Sequence, residues 1–172
     1  MLVNNPNMVE IPDIIALALA ARNCVDRIYL HWTAGHYGQF YDDYHFNIDK
    51  DGTVYQTCEN LCESKSHTWQ RNRRSIGIAL ACGYGASVSV PLGTCEKMLY
   101  GVKAGVRRRP LLSAEIDYGK EGPTVLQIES AARVIALLCQ GLALQPGAEQ
   151  VMTHAEAAIA DGYGPCSGDG EM

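Results

Sequence analysis

Short apolar runs rich in β-branched and aromatic residues recur along the chain, and they predict strands. Residues 27–33 (RIYLHWT) are apolar on both faces, as a strand in the centre of a sheet requires. Residues 75–82 (SIGIALAC) predict a second buried strand, and residues 150–154 (QVMTH) predict a third, shorter one. The pattern therefore predicts a core sheet built from segments that are far apart in sequence.

A β-hairpin is predicted between the first two of these strands. Residues 44–48 and 53–56 have the composition of strands and flank the segment 49–52 (DKDG), whose Asp-Gly pair is typical of a tight turn. The same acidic segment is similar to the start of a calcium-binding loop, but the later ligands of such a loop do not follow. A turn is therefore the preferred interpretation.

Two helices are predicted from capping residues and periodicity. Pro12 and Asp13 open the first, since proline fits a first turn and an acidic side chain favours the positive helix end. Thr124 precedes the second, and Gln127 follows three residues later as in a capping box. Apolar positions then recur at helical spacing: Ile128, Ala131, Ala132, Ile135, Leu138 and Leu142. Strands interleaved with helices predict an α/β fold, a mixed central β-sheet flanked by α-helices, in a single domain over residues 1–172.

Composition narrows the class of protein. The 172 residues are 47% hydrophobic and 19% charged, and a chain of this length buries roughly 70% of its unfolded surface, which excludes a disordered protein. The net charge of -5 gives no attraction for nucleic acid. The apolar run at residues 14–21 is too short for a signal peptide or a membrane span, so we expect synthesis in the cytoplasm and no membrane insertion. The oligomeric state stays open.

The seven cysteines are odd in number and have no spacing typical of a disulfide framework. Cys58 and Cys62 come closest to a pair. Because a chain without a secretory signal folds in a reducing compartment, we expect the cysteines to remain thiols. Most are interpreted as small, buried, apolar residues.

The five histidines are the main candidates for chemistry: His31, His36, His45, His67 and His154. Their spacing matches no helical metal motif, so each alone is more typical of a hydrogen-bonded structural residue. Position favours His31 and His154, since both lie at or near the ends of predicted strands, where active groups gather in α/β folds. Asp169 follows in a glycine-rich loop. Two imidazoles and one carboxylate leave a fourth zinc position for water, as in catalytic sites.

Four separated motifs occur in a recognisable order. They are His31-Trp32-Thr33-Ala34-Gly35, Tyr44-His45-Phe46 followed by Asp51-Gly52-Thr53-Val54, Ser75-Ile76-Gly77-Ile78, and Thr153-His154-Ala155-Glu156. Together they resemble the type 2 N-acetylmuramoyl-L-alanine amidases, a family that includes phage amidase endolysins and shares its fold with animal peptidoglycan recognition proteins. The resemblance covers roughly residues 26–82 and 123–170. Each motif alone is weak, but their order and spacing together are specific.

The resemblance implies a bound Zn2+ ion. The family holds zinc with a histidine after the first core strand and a second histidine in the late strand, which His31 and His154 match. It implies a third ligand in the following loop, and both types that the family uses are present, as Asp169 and Cys166. Asp169 is preferred because residues 167–170 (SGDG) resemble the stretch that carries the acidic ligand in many members. Cys166 is the alternative, since a thiolate also binds zinc well.

The resemblance also implies catalytic groups. Tyr44 matches the tyrosine that phage amidases use beside the zinc, where a phenol can stabilise the developing oxyanion. The glutamate base of other members is Ala79 here, which leaves Tyr44, or less favourably Glu156, to handle the proton. Glu156 is more typical of a partner that orients His154. Ser167 stands where the family has a lysine, so it brings a hydrogen bond but no charge toward the substrate.

Three further residues are expected near the substrate. His67 matches a polar position that lines the family's cleft, with a hydrogen-bonded loop histidine as the alternative. Asn72 and Arg73 precede the third motif, and contact with substrate or with solvent is equally compatible with them. His36 and His45 are interpreted as structural, His45 because neighbouring strand residues face opposite ways.

The motifs together predict zinc-dependent hydrolysis of the amide bond between N-acetylmuramic acid and L-alanine, with peptidoglycan or a muropeptide as substrate. The alternative is a non-catalytic peptidoglycan-binding module of the same fold. Residues 86–122 exceed what compact members need and are expected to form an insertion or a flap over the cleft, with a short helix around residues 95–103. A phage endolysin and a wall-recycling enzyme both fit a chain without an export signal.

Overall fold

The computed structural model describes residues 1–89 and 115–161. The strands are β1 (Asn7–Val9), β2 (Arg27–Trp32), β3 (Phe46–Ile48), β4 (Val54–Gln56), β5 (Ser75–Leu80), β6 (Ser87–Ser89), β7 (Glu115–Asp117) and β8 (Val151–Thr153). The helices are α1 (Ile14–Ala21), which follows a short 3-10 turn at Ile11–Asp13, α2 (Val125–Leu142) and α3 (His154–Ala160).

Six strands form one mixed sheet in the order β1-β4-β3-β5-β2-β8. Strands β3, β5, β2 and β8 run parallel to one another, whereas β4 is antiparallel to both β3 and β1. The predicted α/β class, the three core strands and the hairpin are confirmed. Strands β1, β6 and β7 were not predicted.

One face of the sheet is apolar and packs against the helices. Because side chains alternate along a strand, every second residue of β2 and β5 reaches this face. The residues that it contributes to the core are Ile28, Leu30 and Trp32 from β2, Ile76, Ile78 and Leu80 from β5, and Phe46 and Ile48 from β3. Burial of these side chains against α1 and α2 supplies the hydrophobic stabilisation of the fold.

The opposite face of the sheet carries polar and small residues. Tyr29 and His31 point to it from β2, and the residues beside them on β5 are Gly77 and Ala79. Both β5 residues are small, and a β-carbon added to Gly77 would lie 2.6 Å from the ring of His67. Position 77 in the third motif therefore requires a glycine, because the His67 imidazole occupies the space that a side chain would need.

Helix α2 begins and packs largely as predicted. Thr124 and Gln127 form the reciprocal capping box, with each side chain bonded to the other's backbone N–H. The predicted apolar face is rotated, since Ile128 is 55% exposed and Val134 is buried instead. Gln127 is also buried. Its side-chain amide is satisfied there, because it donates hydrogen bonds to the carbonyl groups of Ile48 and Ala81. Of the described helices, α2 has the length and apolarity of a membrane span, properties that a core helix shares.

Two cysteines form a disulfide, so the expectation that all would be thiols is wrong for this pair. Cys24, just after α1, is bonded to Cys62, in the loop after β4, with their Cα atoms 5.5 Å apart. The sequence pattern pointed to Cys58 and Cys62, but Cys58 is a thiol. Burial raises the pKa of the Cys58 thiol to about 11, which keeps it protonated and unreactive near neutral pH.

Near the two ends of the segment 86–122, strands β6 and β7 pair as a small antiparallel ribbon. The end of the segment is fixed to the loop after β2, because the Glu121 carboxylate accepts hydrogen bonds from the Tyr37 backbone N–H at 2.7 Å and contacts the His36 ring at 2.9 Å. The ring of Tyr118 also packs edge-on against Trp32. Residues 90–114, which include the predicted short helix and most of the predicted flap, lie outside the described residues.

The disulfide yields a stability prediction. Cys24→Ser and Cys62→Ser should each lower the free energy of unfolding by about 3–4 kcal/mol, because the bond closes a loop of 38 residues. The double variant should lose no more than either single variant, as measured by denaturant unfolding. Cys58→Ser is the control with a retained disulfide. Equal stability of the wild type and both single variants would show that the bond is not formed.

Candidate active site

Two histidines that are 123 residues apart in sequence meet at the carboxyl ends of adjacent parallel strands. His31 lies near the end of β2, and His154 is the first residue of α3, directly after β8. Pairing of Leu30 with Thr153 brings the two imidazoles together. Their Nδ1 atoms are 3.1 Å apart, and the side chains are 3% and 7% exposed. The sheet register therefore creates a buried pair of ring nitrogens.

This pair fits two ligands of one zinc ion. Imidazole nitrogens bound to zinc at 2.0–2.1 Å with tetrahedral angles lie about 3.3 Å from each other. The observed separation of 3.1 Å needs little adjustment to accept the ion. Within residues 1–89 and 115–161, no three histidine, cysteine or acidic side chains are grouped as a complete metal site. Asp169, Cys166 and Ser167 lie outside the described residues.

Tyr44 lies beside this pair, just before β3. Its ring centroid is 5.0 Å from that of His31, and the residue is 5% exposed. Its backbone carbonyl accepts a hydrogen bond of 2.6 Å from the Thr57 hydroxyl, which anchors the start of the hairpin. The Tyr44 ring therefore lies next to the ring of His31.

Glu156 caps the helix that begins at His154. Its carboxylate accepts hydrogen bonds from the backbone N–H and hydroxyl of Thr153, at 2.8 and 3.1 Å. The Thr153 hydroxyl in turn accepts from the Glu156 N–H at 3.2 Å. This reciprocal arrangement is a capping box that starts α3 at His154. The spacing Thr-x-x-Glu carried that signal in the sequence.

Ala79 occupies the strand position next to His31, in register with it. The place at which other family members carry a glutamate therefore adjoins the histidine pair, but the alanine offers no group for proton transfer. The side chain is fully buried.

The loop before β5 is folded around Asn72 rather than opened toward solvent. The Asn72 side-chain oxygen accepts hydrogen bonds from the backbone N–H groups of His67 and Thr68, at 3.0 and 2.7 Å. The neighbouring Arg73 is exposed. Asn72 thus shapes the loop that borders His31, while Arg73 has the accessible surface that contact with a substrate requires.

His67 is 4% exposed, and its ring lies next to that of His31. The two ring centroids are 5.2 Å apart. The Nδ1 atom of His67 contacts the Thr68 hydroxyl at 2.9 Å, and its Nε2 atom contacts the Ser75 hydroxyl at 3.2 Å. This burial leaves little surface for the predicted substrate contact and instead places His67 among the supports of His31.

The remaining histidines have structural contacts. His45 is fully buried, its Nδ1 accepts from the Gly77 N–H at 3.1 Å, and its Nε2 therefore donates to the Glu63 carbonyl at 3.0 Å. Burial lowers the pKa of His45 to about 4, so the ring is neutral near pH 7. His36 stacks on Tyr84 with ring centroids 3.6 Å apart.

An ion pair that the sequence did not indicate joins this loop to α3. The Arg71 guanidinium makes a bidentate contact with the Asp161 carboxylate, with two N–O distances of 2.5 Å. The same guanidinium donates to the Tyr29 hydroxyl at 3.3 Å and contacts the Met152 sulfur at 3.7 Å. Arg71 therefore ties the loop to β2, β8 and the end of the helix that starts with His154. These residues are 90 positions apart, so no local pattern could reveal the pair.

The chain is similar to known proteins in sequence and in structure. The sequence model of the N-acetylmuramoyl-L-alanine amidase family (Amidase_2) matches residues 21–169. Among solved structures, the chain is similar to the endolysin N-acetylmuramoyl-L-alanine amidase LysCS from Clostridium intestinale URNW. The identity is 19% and the TM-score is 0.47, over 77% of this chain and 70% of that chain. A comparison with curated proteins gives no significant match.

The family match spans most of the chain and includes every motif that the sequence analysis singled out. The chain belongs to the N-acetylmuramoyl-L-alanine amidase family.

Proposed function

We propose that this protein is a zinc-dependent hydrolase that cleaves the amide bond between N-acetylmuramic acid and L-alanine in peptidoglycan. The observation that carries the proposal is the buried contact of 3.1 Å between the Nδ1 atoms of His31 and His154. Family membership supports the same bond as the target. We assign the third ligand to Asp169, with Cys166 as the alternative.

The proposed chemistry divides between the ion and the side chains. Zinc, when bound, supplies an activated water near pH 7 and polarises the substrate carbonyl. His31, on β2, and His154, directly after β8, would hold the ion at the carboxyl ends of these neighbouring parallel strands. The Tyr44 phenol donates a hydrogen bond to the lactyl carbonyl oxygen as negative charge develops on it. Ser167, where the family has a lysine, is proposed to add a neutral hydrogen bond.

We divide the remaining predicted residues between support and substrate contact. Glu156 is committed to the helix cap, so we propose that Tyr44 is the proton donor. Asn72 shapes the loop beside His31, and His67 lies beneath it. Arg73 is exposed and is proposed to contact the peptide stem or the glycan.

One observation favours the alternative of a non-catalytic peptidoglycan-binding module. Ala79 lies next to His31 where other members carry a catalytic glutamate. A module that only binds would still recognise muropeptides, but it would release no new amino termini from the cell wall. A zinc hydrolase acting on some other amide would hold zinc and leave purified sacculi intact. Sacculus digestion therefore separates the proposed amidase from both alternatives, and muropeptide binding separates the two alternatives from each other.

The first test removes the proposed ligands. His31→Ala and His154→Ala should each lose bound zinc, because a buried site with one imidazole fewer holds the ion poorly, and both should lose sacculus digestion. Zinc is measured by elemental analysis and digestion by the appearance of L-alanine amino termini. His36→Ala is the matched control, since His36 contacts Glu121 and Tyr84 instead. Full activity in either ligand variant would exclude this mechanism.

The second test isolates the phenol. Tyr44→Phe should retain zinc and lower kcat by about 10²–10³-fold, the loss typical of a missing oxyanion donor. The ring that packs near His31 is preserved in this variant, so the zinc content reports whether the site is intact. An unchanged kcat would remove Tyr44 from the mechanism.

A further inference from the structure

We propose that Ser75, His67 and Thr68 form a directional hydrogen-bonded relay that fixes the orientation and tautomer of His31. The relay holds the ring proton of His31 on Nε2 and presents the Nδ1 lone pair toward His154. It rests on the zinc site proposed above. All three relay residues are buried, with exposures of 1% for Ser75 and 4% for His67 and Thr68.

The direction of the relay is set at its far end, by a backbone carbonyl. The Ser75 hydroxyl donates to the carbonyl oxygen of Arg71 at 2.8 Å. A hydroxyl has one hydrogen, so in its contact of 3.2 Å with His67 the Ser75 oxygen accepts. His67 therefore carries its proton on Nε2. The opposite direction would leave the partly buried Arg71 carbonyl without this donor, which costs free energy.

The proton on Nε2 determines the next two contacts. In a neutral imidazole with Nε2–H, Nδ1 is an acceptor, so the Thr68 hydroxyl donates to His67 Nδ1 at 2.9 Å. The Thr68 oxygen is then the acceptor in its contact of 3.4 Å with His31 Nε2. His31 accordingly carries its proton on Nε2. Its Nδ1 lone pair faces the Nδ1 atom of His154 at 3.1 Å.

Several contacts hold the relay rigid. The His67 ring packs against the backbone of Gly77, where a β-carbon would lie 2.6 Å away. The Asn72 side chain binds the backbone N–H groups of both His67 and Thr68. Arg71, whose carbonyl sets the direction, is itself held by its bidentate contact with Asp161. The relay therefore has little freedom to rearrange.

The chemical consequence concerns metal binding. A histidine binds zinc through a ring nitrogen that carries a lone pair, and a hydrogen bond to the other nitrogen fixes which nitrogen that is. Partners of this kind typically change metal affinity by about 10–100-fold when they are removed. Ser75, His67 and Thr68 are thus positioning residues, which act on the ion through His31.

The relay is tested by a pair of matched variants at position 68. Thr68→Val removes the hydroxyl at nearly constant volume, whereas Thr68→Ser keeps it. The affinity for zinc, measured by competition with a chromogenic chelator, should fall about 10–100-fold in Thr68→Val and stay near wild type in Thr68→Ser. Ser75→Ala should also weaken zinc binding, although Ser75 reaches the ligand only through the other two residues. Thermal unfolding checks that each variant is folded. Unchanged zinc affinity in folded Thr68→Val would overturn the relay.

A second readout needs neither zinc nor activity. Long-range proton–nitrogen NMR spectra of the zinc-free wild type should show the Nε2–H tautomer for both His31 and His67. An Nδ1–H tautomer at either ring would overturn the relay. The tautomers decide this proposal even if the wild type takes up no zinc, a result that would count against the proposed function alone.

Discussion

The contact between the Nδ1 atoms of His31 and His154 is the interaction on which the site depends. Two buried imidazoles meet there with their Nδ1 atoms 3.1 Å apart. Ring nitrogens at this distance share either a proton or a cation. The contact exists because β2 and β8 are parallel neighbours, so that their carboxyl ends lie at the same edge of the sheet. The sheet register thus brings together residues from opposite ends of the chain, as is common in α/β folds.

The two faces of the sheet differ in role: one packs into the hydrophobic core, and the other carries the residues of the candidate site. The apolar face buries branched side chains against α1 and α2, which leaves the other face available for polar groups. Small residues on β5 make room there, with Gly77 under His67 and Ala79 beside His31. Helix α3 and the loop at residues 66–73 then enclose the histidines, linked by the Arg71–Asp161 ion pair. Alternate residues of β5 therefore belong to the hydrophobic core and to the candidate site.

Local signals in the sequence predicted the elements that local interactions determine. The long strands, the Asp-Gly hairpin and the capping box of α2 were all evident from residues close together in the chain. The pairing of Cys24 with Cys62 was missed, because it depends on how the end of α1 packs beside a distant loop. The face of α2 was misjudged for a similar reason, since buried Gln127 finds acceptors that only the assembled sheet supplies.

The residues of the candidate site likewise divide into those that the sequence indicated and those that it did not. The positions of His31 and His154 at strand ends indicated that they would be near each other, and the structure places them in contact. The supporting residues could not be predicted, because burial decides their roles: His67 lies beneath His31, and Glu156 caps a helix. The Arg71–Asp161 pair had no sequence signal at all.

Anomalous diffraction at the zinc absorption edge, from crystals grown with Zn2+, tests the central claim most directly. The account predicts one strong peak about 2.0–2.1 Å from the Nδ1 atoms of both His31 and His154. A zinc peak held by other residues, or no peak while the two imidazoles remain in contact, would contradict it.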